Sequence, residues 1–133
     1  MVMLDTNICV YILKQHPINF LEKFQTLKEV YISSIVYAEL CSGVTMSPEH
    51  LQTARQAQLV EFMALVTMQY WDREAAEAYA EVRAYLKAKG TPIGNMDMLI
   101  AAHALSLKAL LVTNNVREFE RVPNLNFENW VHA

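Results

Sequence analysis

The sequence predicts an α/β fold in which a central, mainly parallel sheet of four to five strands is sandwiched between helices. Short apolar runs at Met3-Leu4, Val30-Tyr31-Ile32, Leu65 to Met68 and Leu110 to Thr113 are separated by longer stretches of helical periodicity. That alternation is the signature of helices packed on a mainly parallel sheet. Two of the runs also end in polar residues suited to helix starts, Asp5-Thr6 and Asn114-Asn115. With 133 residues, 53% of them hydrophobic and 19% charged, the chain suits one domain over 1–133. A chain of this size buries roughly two-thirds of its unfolded surface. It carries no internal repeat, low-complexity tract or linker.

Taken in order, Met3-Leu4 reads as a short buried strand that delivers Asp5 to an exposed edge. Asn7 is suited to cap a helix through about Leu13, and Pro17 fits the first turn of a second helix carrying Leu21, Phe24 and Leu27. After the strand at Val30 to Ile32, Ser33 and Ser34 are cap candidates for a helix from about Ile35 to Ser42. Glu39 then lies roughly one turn in, and Gly43 supplies the stop. Ser47-Pro48-Glu49 opens a helix to about Met63, with Ser as cap, Pro first and an acid in the first turn. Leu65 to Met68 follows as a short strand. Asp72 caps a helix in which Ala75, Tyr79, Val82 and Leu86 recur at helical spacing until Gly90. Asn95 caps the next, with Asp97 in its first turn and Ile100, Ala101 and Ala104 on one face. Beyond the strand at Leu110 to Thr113, Asn115 and Glu118 are spaced for a capping box on a short helix to about Arg121, and an edge strand fits between Phe127 and Val131.

The formal net charge is −3, which excludes a basic arm that would hold nucleic acid by charge alone. Cys9 and Cys41 are far apart, lack a metal spacing and sit in apolar settings, so they are expected as free thiols, consistent with a reducing cytoplasm. No stretch approaches the ~18 consecutive apolar residues needed to span a bilayer. The expected setting is cytoplasmic, with no membrane association.

In open α/β sheets the functional crevice lies beyond the carboxyl ends of the strands. Asp5, Asn115 and the helix starts carrying Glu39 and Asp97 all fall on that rim. Carboxylates gathered there repel each other and raise one another's pKa unless a cation sits among them, and hard oxygen ligands select Mg²⁺ or Mn²⁺ over zinc. Magnesium favours one or two carboxylates together with phosphate oxygens. An acidic rim without His or Cys ligands therefore points to phosphodiester chemistry.

Four stretches, in order and over essentially the whole chain, resemble one family. They are Asp5-Thr6-Asn7, the Ser-Ser-x-x-x-x-Glu block ending at Glu39, the Pro-Ile-Gly-x-x-Asp block ending at Asp97, and Val112-Thr113-Asn114-Asn115 followed by Arg117-Glu118-Phe119. Together they closely resemble PIN-domain ribonucleases, above all the VapC toxins of bacterial type II toxin–antitoxin pairs. The resemblance implies a PIN-like α/β/α sandwich and a site-specific endoribonuclease that uses Mg²⁺, with Mn²⁺ as a substitute. It implies Asp5, Glu39 and Asp97 as the acidic metal and catalytic site, with Thr113 ordering it. Thr6 is a candidate for supporting hydrogen bonds and Asn7 a structural companion. Many members carry Asp where this chain has Asn115, so the fourth ligand is open, with Glu118 or Glu120 able to supply it.

The resemblance further implies cleavage of structured RNA, with tRNA at its anticodon stem-loop as the expected target, leaving 5′-phosphate and 3′-hydroxyl ends. It implies a VapB-like antitoxin that silences the toxin, presents a basic group to the acids and carries the assembly to DNA. A homodimer is expected, and the faces around 18–27 and 48–66 are candidates for the antitoxin groove and the dimer contact. Lys14, Arg73, Lys87, Lys89, Arg117 and Arg121 are candidates for RNA backbone contacts. His103, six residues after Asp97, reads as a core or boundary residue, and His16, His50 and His132 carry no readable spacing.

Two other readings stand beside this one. The first is a PIN fold that binds without cleaving, suggested by Asn115. The second is a haloacid-dehalogenase-like phosphatase, since Asp5-Thr6-Asn7 and Val112-Thr113-Asn114 resemble its first two motifs. That family has a second Asp where this chain has Asn7, and little chain remains after Thr113 for its later motifs.

Overall fold

The computed structural model describes residues 1–15 and 17–131, so His16 and His132 lie outside the described residues. The sheet grows outward from the first strand. β1 (Val2–Leu4) lies between β2 (Val30–Ser33) and β4 (Leu110–Val112), with β3 (Thr67–Gln69) and β5 (Phe127–Glu128) at the edges. The order is β3-β2-β1-β4-β5 and every pairing is parallel. Strands buried on both faces read as continuous apolar runs. Met3, Leu4, Ile32, Leu111 and Val112 accordingly have no exposed surface.

The helices that flank this sheet are α1 (Thr6–Gln15), α2 (Ile18–Thr26), α3 (Ser34–Thr45), α4 (Glu49–Met63), α5 (Arg73–Lys89), α6 (Asn95–Leu107) and α7 (Val116–Phe119). The chain moves from β1 outward through β2 and β3, then crosses to β4 on the other side. The strand order reverses at β1 and β4, where α/β sheets open a crevice beyond their carboxyl ends. Leu4 pairs with Ile32 and with Val112, so one residue further on Asp5 stands between Ser33 and Thr113. The expected strand at Leu65 to Met68 is displaced to Thr67–Gln69, and that at Phe127 to Val131 shortens to two residues.

Several expected caps are reassigned. Asp5, not Asn7, caps α1, because its Oδ1 accepts from the Ile8 N–H at 2.9 Å while Asn7 is exposed inside the first turn. Gly43 does not end α3, which continues to Thr45 with Val44 packed against the core. Ser47 does not cap α4, since its hydroxyl donates to the Gly43 carbonyl at 2.7 Å and so satisfies the end of α3. Asn95 is the first residue of α6, and its side-chain oxygen accepts from the Tyr79 hydroxyl. Asn115 and Glu118 form no capping box. The Asn115 side chain turns to the acids instead.

Helix α5 follows its sequence signals. Asp72 accepts from the Ala75 N–H at 3.0 Å, Ala75, Val82 and Leu86 are buried, and Gly90 closes the helix at φ 68°. A cap of this kind contributes about 1 kcal/mol. Asp72→Ala should therefore lower the thermal midpoint by roughly 3–5 °C, and an unmoved midpoint would contradict the cap. Cys9 and Cys41 are free thiols, the first buried and the second half-buried.

Candidate active site

Asp5 is 2% exposed at the end of the central strand. One carboxylate oxygen accepts from the Ile8 N–H at 2.9 Å and the other from the Thr113 hydroxyl at 2.5 Å. Burial raises the pKa of this acid, the two hydrogen bonds oppose the rise, and the nearby Glu39 charge adds to it. Thr113 is itself fully buried, and its Oγ1 also accepts from the Asn115 N–H at 2.9 Å. The hydroxyl thereby ties the first strand to the loop that follows β4.

Thr6, at the start of α1, donates its hydroxyl to Glu39 Oε1 at 2.6 Å and holds the α3 acid against the α1 terminus. Asp97, in the first turn of α6, is half-buried. Its pKa is pushed up to about 7, by burial first, then by a hydrogen bond and charge repulsion from Glu118, with smaller repulsion from Asp5 and Glu39. The Asn115 amide lies between the last two acids, 3.1 Å from Glu118 Oε2 and a long 3.5 Å from Asp97 Oδ2. Glu118 is held below the usual range by its hydrogen bond to Asp97, against an opposing effect of burial. The Asn115 amide, the Gly94 N–H and the Arg121 charge lower it further.

The structure thus gathers Asp5, Glu39, Asp97 and Glu118 at one rim, with Thr6, Thr113 and Asn115 as their hydrogen-bond partners. Glu120 is exposed beyond α7 and exerts no effect on Asp97, so Glu118 is the acid near the position left open by Asn115. Asn7 makes no contact with the cluster among the described hydrogen bonds. Gly94 joins the site unannounced: a Cβ there would stand 3.3 Å from Asp97 Oδ2 and 3.9 Å from Glu118 Oε2. The Pro-Ile-Gly-x-x-Asp spacing was the available signal, since a glycine three residues before an acid allows close backbone approach.

A groove of about 280 Å³ runs beside Glu39 between α1, α3 and α4, lined by Val10, Leu13, Lys14, Leu40, Val44, Arg55 and Leu59 among others. It takes only part of the expected 48–66 face and none of 18–27. Phe20 in α2 packs inward against Tyr11 and Trp130. Among the candidate RNA-contacting cations, Lys14 lines this groove, Arg73 pairs with Glu77 on the surface, Lys89 lies over Tyr85, and Arg121 donates to the Pro92 carbonyl at 2.8 Å.

The donor set is entirely hard oxygen, and the Arg121 charge lowers the pKa of Glu118. Among the described residues no three His, Cys, Asp or Glu side chains are drawn together into a ready coordination shell. An open, all-carboxylate rim suits Mg²⁺ or Mn²⁺, which retain waters and take few protein ligands.

Comparison with known proteins matches this geometry to one family. The sequence model described as the PIN domain matches residues 2–125. The chain is similar to the Ribonuclease VapC2 of Rickettsia felis, 44% identical over 131 residues that make up 96% of each protein. It is likewise similar to the tRNA(fMet)-specific endonuclease VapC of Salmonella typhimurium, 40% identical over 130 residues and 96% of each. Among solved structures, VapBC2 from Rickettsia felis bound to a DNA fragment from their promoter superimposes with a TM-score of 0.91 at 43% identity, covering 98% of this chain and all of the other. The dehalogenase-like reading of Asp5-Thr6-Asn7 falls with these matches.

Proposed function

This chain belongs to the PIN-domain family and, within it, to the VapC ribonucleases, and from that membership we propose that it is a Mg²⁺-dependent, site-specific endoribonuclease, the toxin of a toxin–antitoxin pair. The observation that carries the catalytic reading is the convergence of Asp5, Glu39, Asp97 and Glu118 on one rim, with the Asp97 carboxyl pushed up to about 7 by burial and its acidic neighbours. We propose Asp5, Glu39 and Asp97 as the ligands of Mg²⁺, with Mn²⁺ as a substitute and Glu118 in the fourth place. When bound there, such an ion neutralises phosphate charge and lowers the pKa of an attacking water.

The chain's own groups supply the rest. Thr113 and the Ile8 N–H orient the Asp5 carboxylate, and Thr6 orients Glu39. Asn115 and the Gly94 N–H hold Glu118 in its charged form. Asp97, with its pKa pushed up to about 7, shares a proton with Glu118 that a cation held there would displace.

The proposed substrate is tRNA, supported by the tRNA(fMet) specificity in the name of the Salmonella relative, and the proposed cut lies in its anticodon stem-loop. The expected products carry 5′-phosphate and 3′-hydroxyl ends. The proposed partner is a VapB-like antitoxin, supported by the VapBC complexes among the structural relatives, with DNA reached through it. Its inhibitory segment would lie in the groove beside Glu39 and present a basic group to the acids. A single domain and a homodimer complete the proposal, and among the described residues no helix is long and apolar enough to cross a membrane.

Incubation of the purified protein with initiator tRNA and Mg²⁺ tests the reading. Cleavage that EDTA stops, giving fragments whose 5′ ends are phosphorylated, is the expected result. Cleavage that survives EDTA, or that leaves 2′,3′-cyclic phosphate ends, would overturn it.

A further inference from the structure

The two serines that open α3 are each tied to the helix that carries Asp97. Ser33 Oγ accepts from the Ile35 N–H at 3.0 Å, capping α3, and lies 2.8 Å from His103 Nδ1 in α6. Both Ser33 and His103 are buried, with 0% and 1% of their surface exposed. Ser34 Oγ accepts from the Trp71 N–H at 3.0 Å, and the Trp71 indole N–H donates to the Leu99 carbonyl of α6 at 3.0 Å. The Trp71 ring is braced edge-on by Tyr79, whose hydroxyl reaches Asn95 at the start of the same helix. One bond spans from the start of α3 to α6 directly and the other passes through Trp71, two residues beyond β3.

These contacts lie outside the acid cluster, yet they join the helices that bear two of its acids, Glu39 and Asp97. Glu39 stands five residues after Ser34, and Asp97 stands two before Leu99 and six before His103. Glu39 in α3 and Asp97 in α6 are carboxylates on one rim, and repulsion between such like charges works to part the two helices. A buried polar bond resists that push better than apolar contact, because its direction and length are fixed. Outer hydrogen bonds that orient metal ligands typically change metal affinity by about 10–100-fold when removed.

We propose that His103 and Trp71 are positioning residues that clamp the Glu39-bearing helix to the Asp97-bearing helix through Ser33 and Ser34, and so hold the acids at the spacing a divalent cation requires. The proposal rests on the metallo-ribonuclease reading, and it gives His103 a task beyond filling the core. Neither residue touches the acids, and the clamp works through helix placement alone.

The test compares Mn²⁺ binding, titrated by electron paramagnetic resonance, in the full-length protein and in the variants His103→Leu, His103→Asn and Trp71→Phe, with thermal midpoints measured alongside. Leu and Asn are nearly isosteric, so both leave the same space around position 103, and only Asn can still bond Ser33 Oγ. His103→Leu is expected to weaken Mn²⁺ binding about tenfold, with His103→Asn closer to the wild type. Trp71→Phe keeps an aromatic ring, smaller than the indole, and loses the indole N–H, and a several-fold weakening is expected. It also keeps the test decisive if a position-103 variant fails to fold. Equal Mn²⁺ affinity in Leu and Asn variants, together with an unchanged Trp71→Phe, would overturn the clamp and leave the metallo-ribonuclease reading standing. A wild-type protein that binds no Mn²⁺ overturns both.

Discussion

Asp97→Asn is expected to lower RNA cleavage by on the order of 10³-fold, ~4 kcal/mol of transition-state stabilisation, while raising the thermal midpoint of the metal-free protein by a few degrees. The opposite signs come from one cause. Asp97 sits among Glu118, Asp5 and Glu39, and its pKa stands at about 7 in the folded chain against 3.8 for the free group. Between those two values the folded state binds more protons than the unfolded state, so stability falls as pH rises through that window and levels off above it. An amide at position 97 never ionises. It still offers an N–H to Glu118 and an oxygen to the Asn115 amide. In EDTA, the variant should therefore gain on the wild type as pH rises from 5 to 8. Excess Mg²⁺ should reverse the order, because binding to the folded state alone stabilises it. Melting curves at four pH values with and without Mg²⁺ decide this, and parallel curves for the two proteins would remove Asp97 from the acid cluster.

Much of this arrangement was legible locally. An apolar run ending in Asp5 could only be a strand delivering a carboxylate to an edge, and Asp72 with Gly90 bracketed a helix whose apolar residues recur at the correct period. Polar residues at junctions were legible as caps by type but not by position. Asp5 took the role expected of Asn7 because a cap must precede the first turn, and Ser47 turned back to the helix behind it. What stayed hidden were pairings between distant residues. His103 and Ser33 are 70 positions apart and Thr113 and Asp5 are 108 apart, and no periodicity encodes such a bond. The choice between Glu118 and Glu120 as the fourth acid stayed open for the same reason. Asn115 and Glu118 read as a capping box along the chain, whereas across it both face Asp97.

The second large effect is expected at Thr113, where the hydroxyl serves two partners and the methyl none that valine would lose. Thr113→Val keeps the volume and removes the donor to Asp5 Oδ2 and the acceptor for the Asn115 N–H. Asp5 is almost fully buried, so its freed oxygen has little access to replacement water. An unsatisfied buried polar group costs about 1–3 kcal/mol. With the Asn115 N–H only part-buried, a total of about 2–4 kcal/mol follows, or roughly 10 °C in the thermal midpoint. Function should change in a way that stability alone does not predict. The Thr113 bond is the larger of the two hydrogen bonds that oppose the effect of burial on Asp5. Without it the Asp5 pKa moves higher still, so protonation competes more strongly with a bound cation. RNA cleavage should fall about 10–100-fold, and the acidic limb of its pH profile should move to higher pH. Thr113→Ser restores the hydroxyl without the methyl and should recover both the limb and most of the rate. A valine variant that is merely less stable, with its pH profile unmoved, would show that Thr113 supports the fold without tuning Asp5.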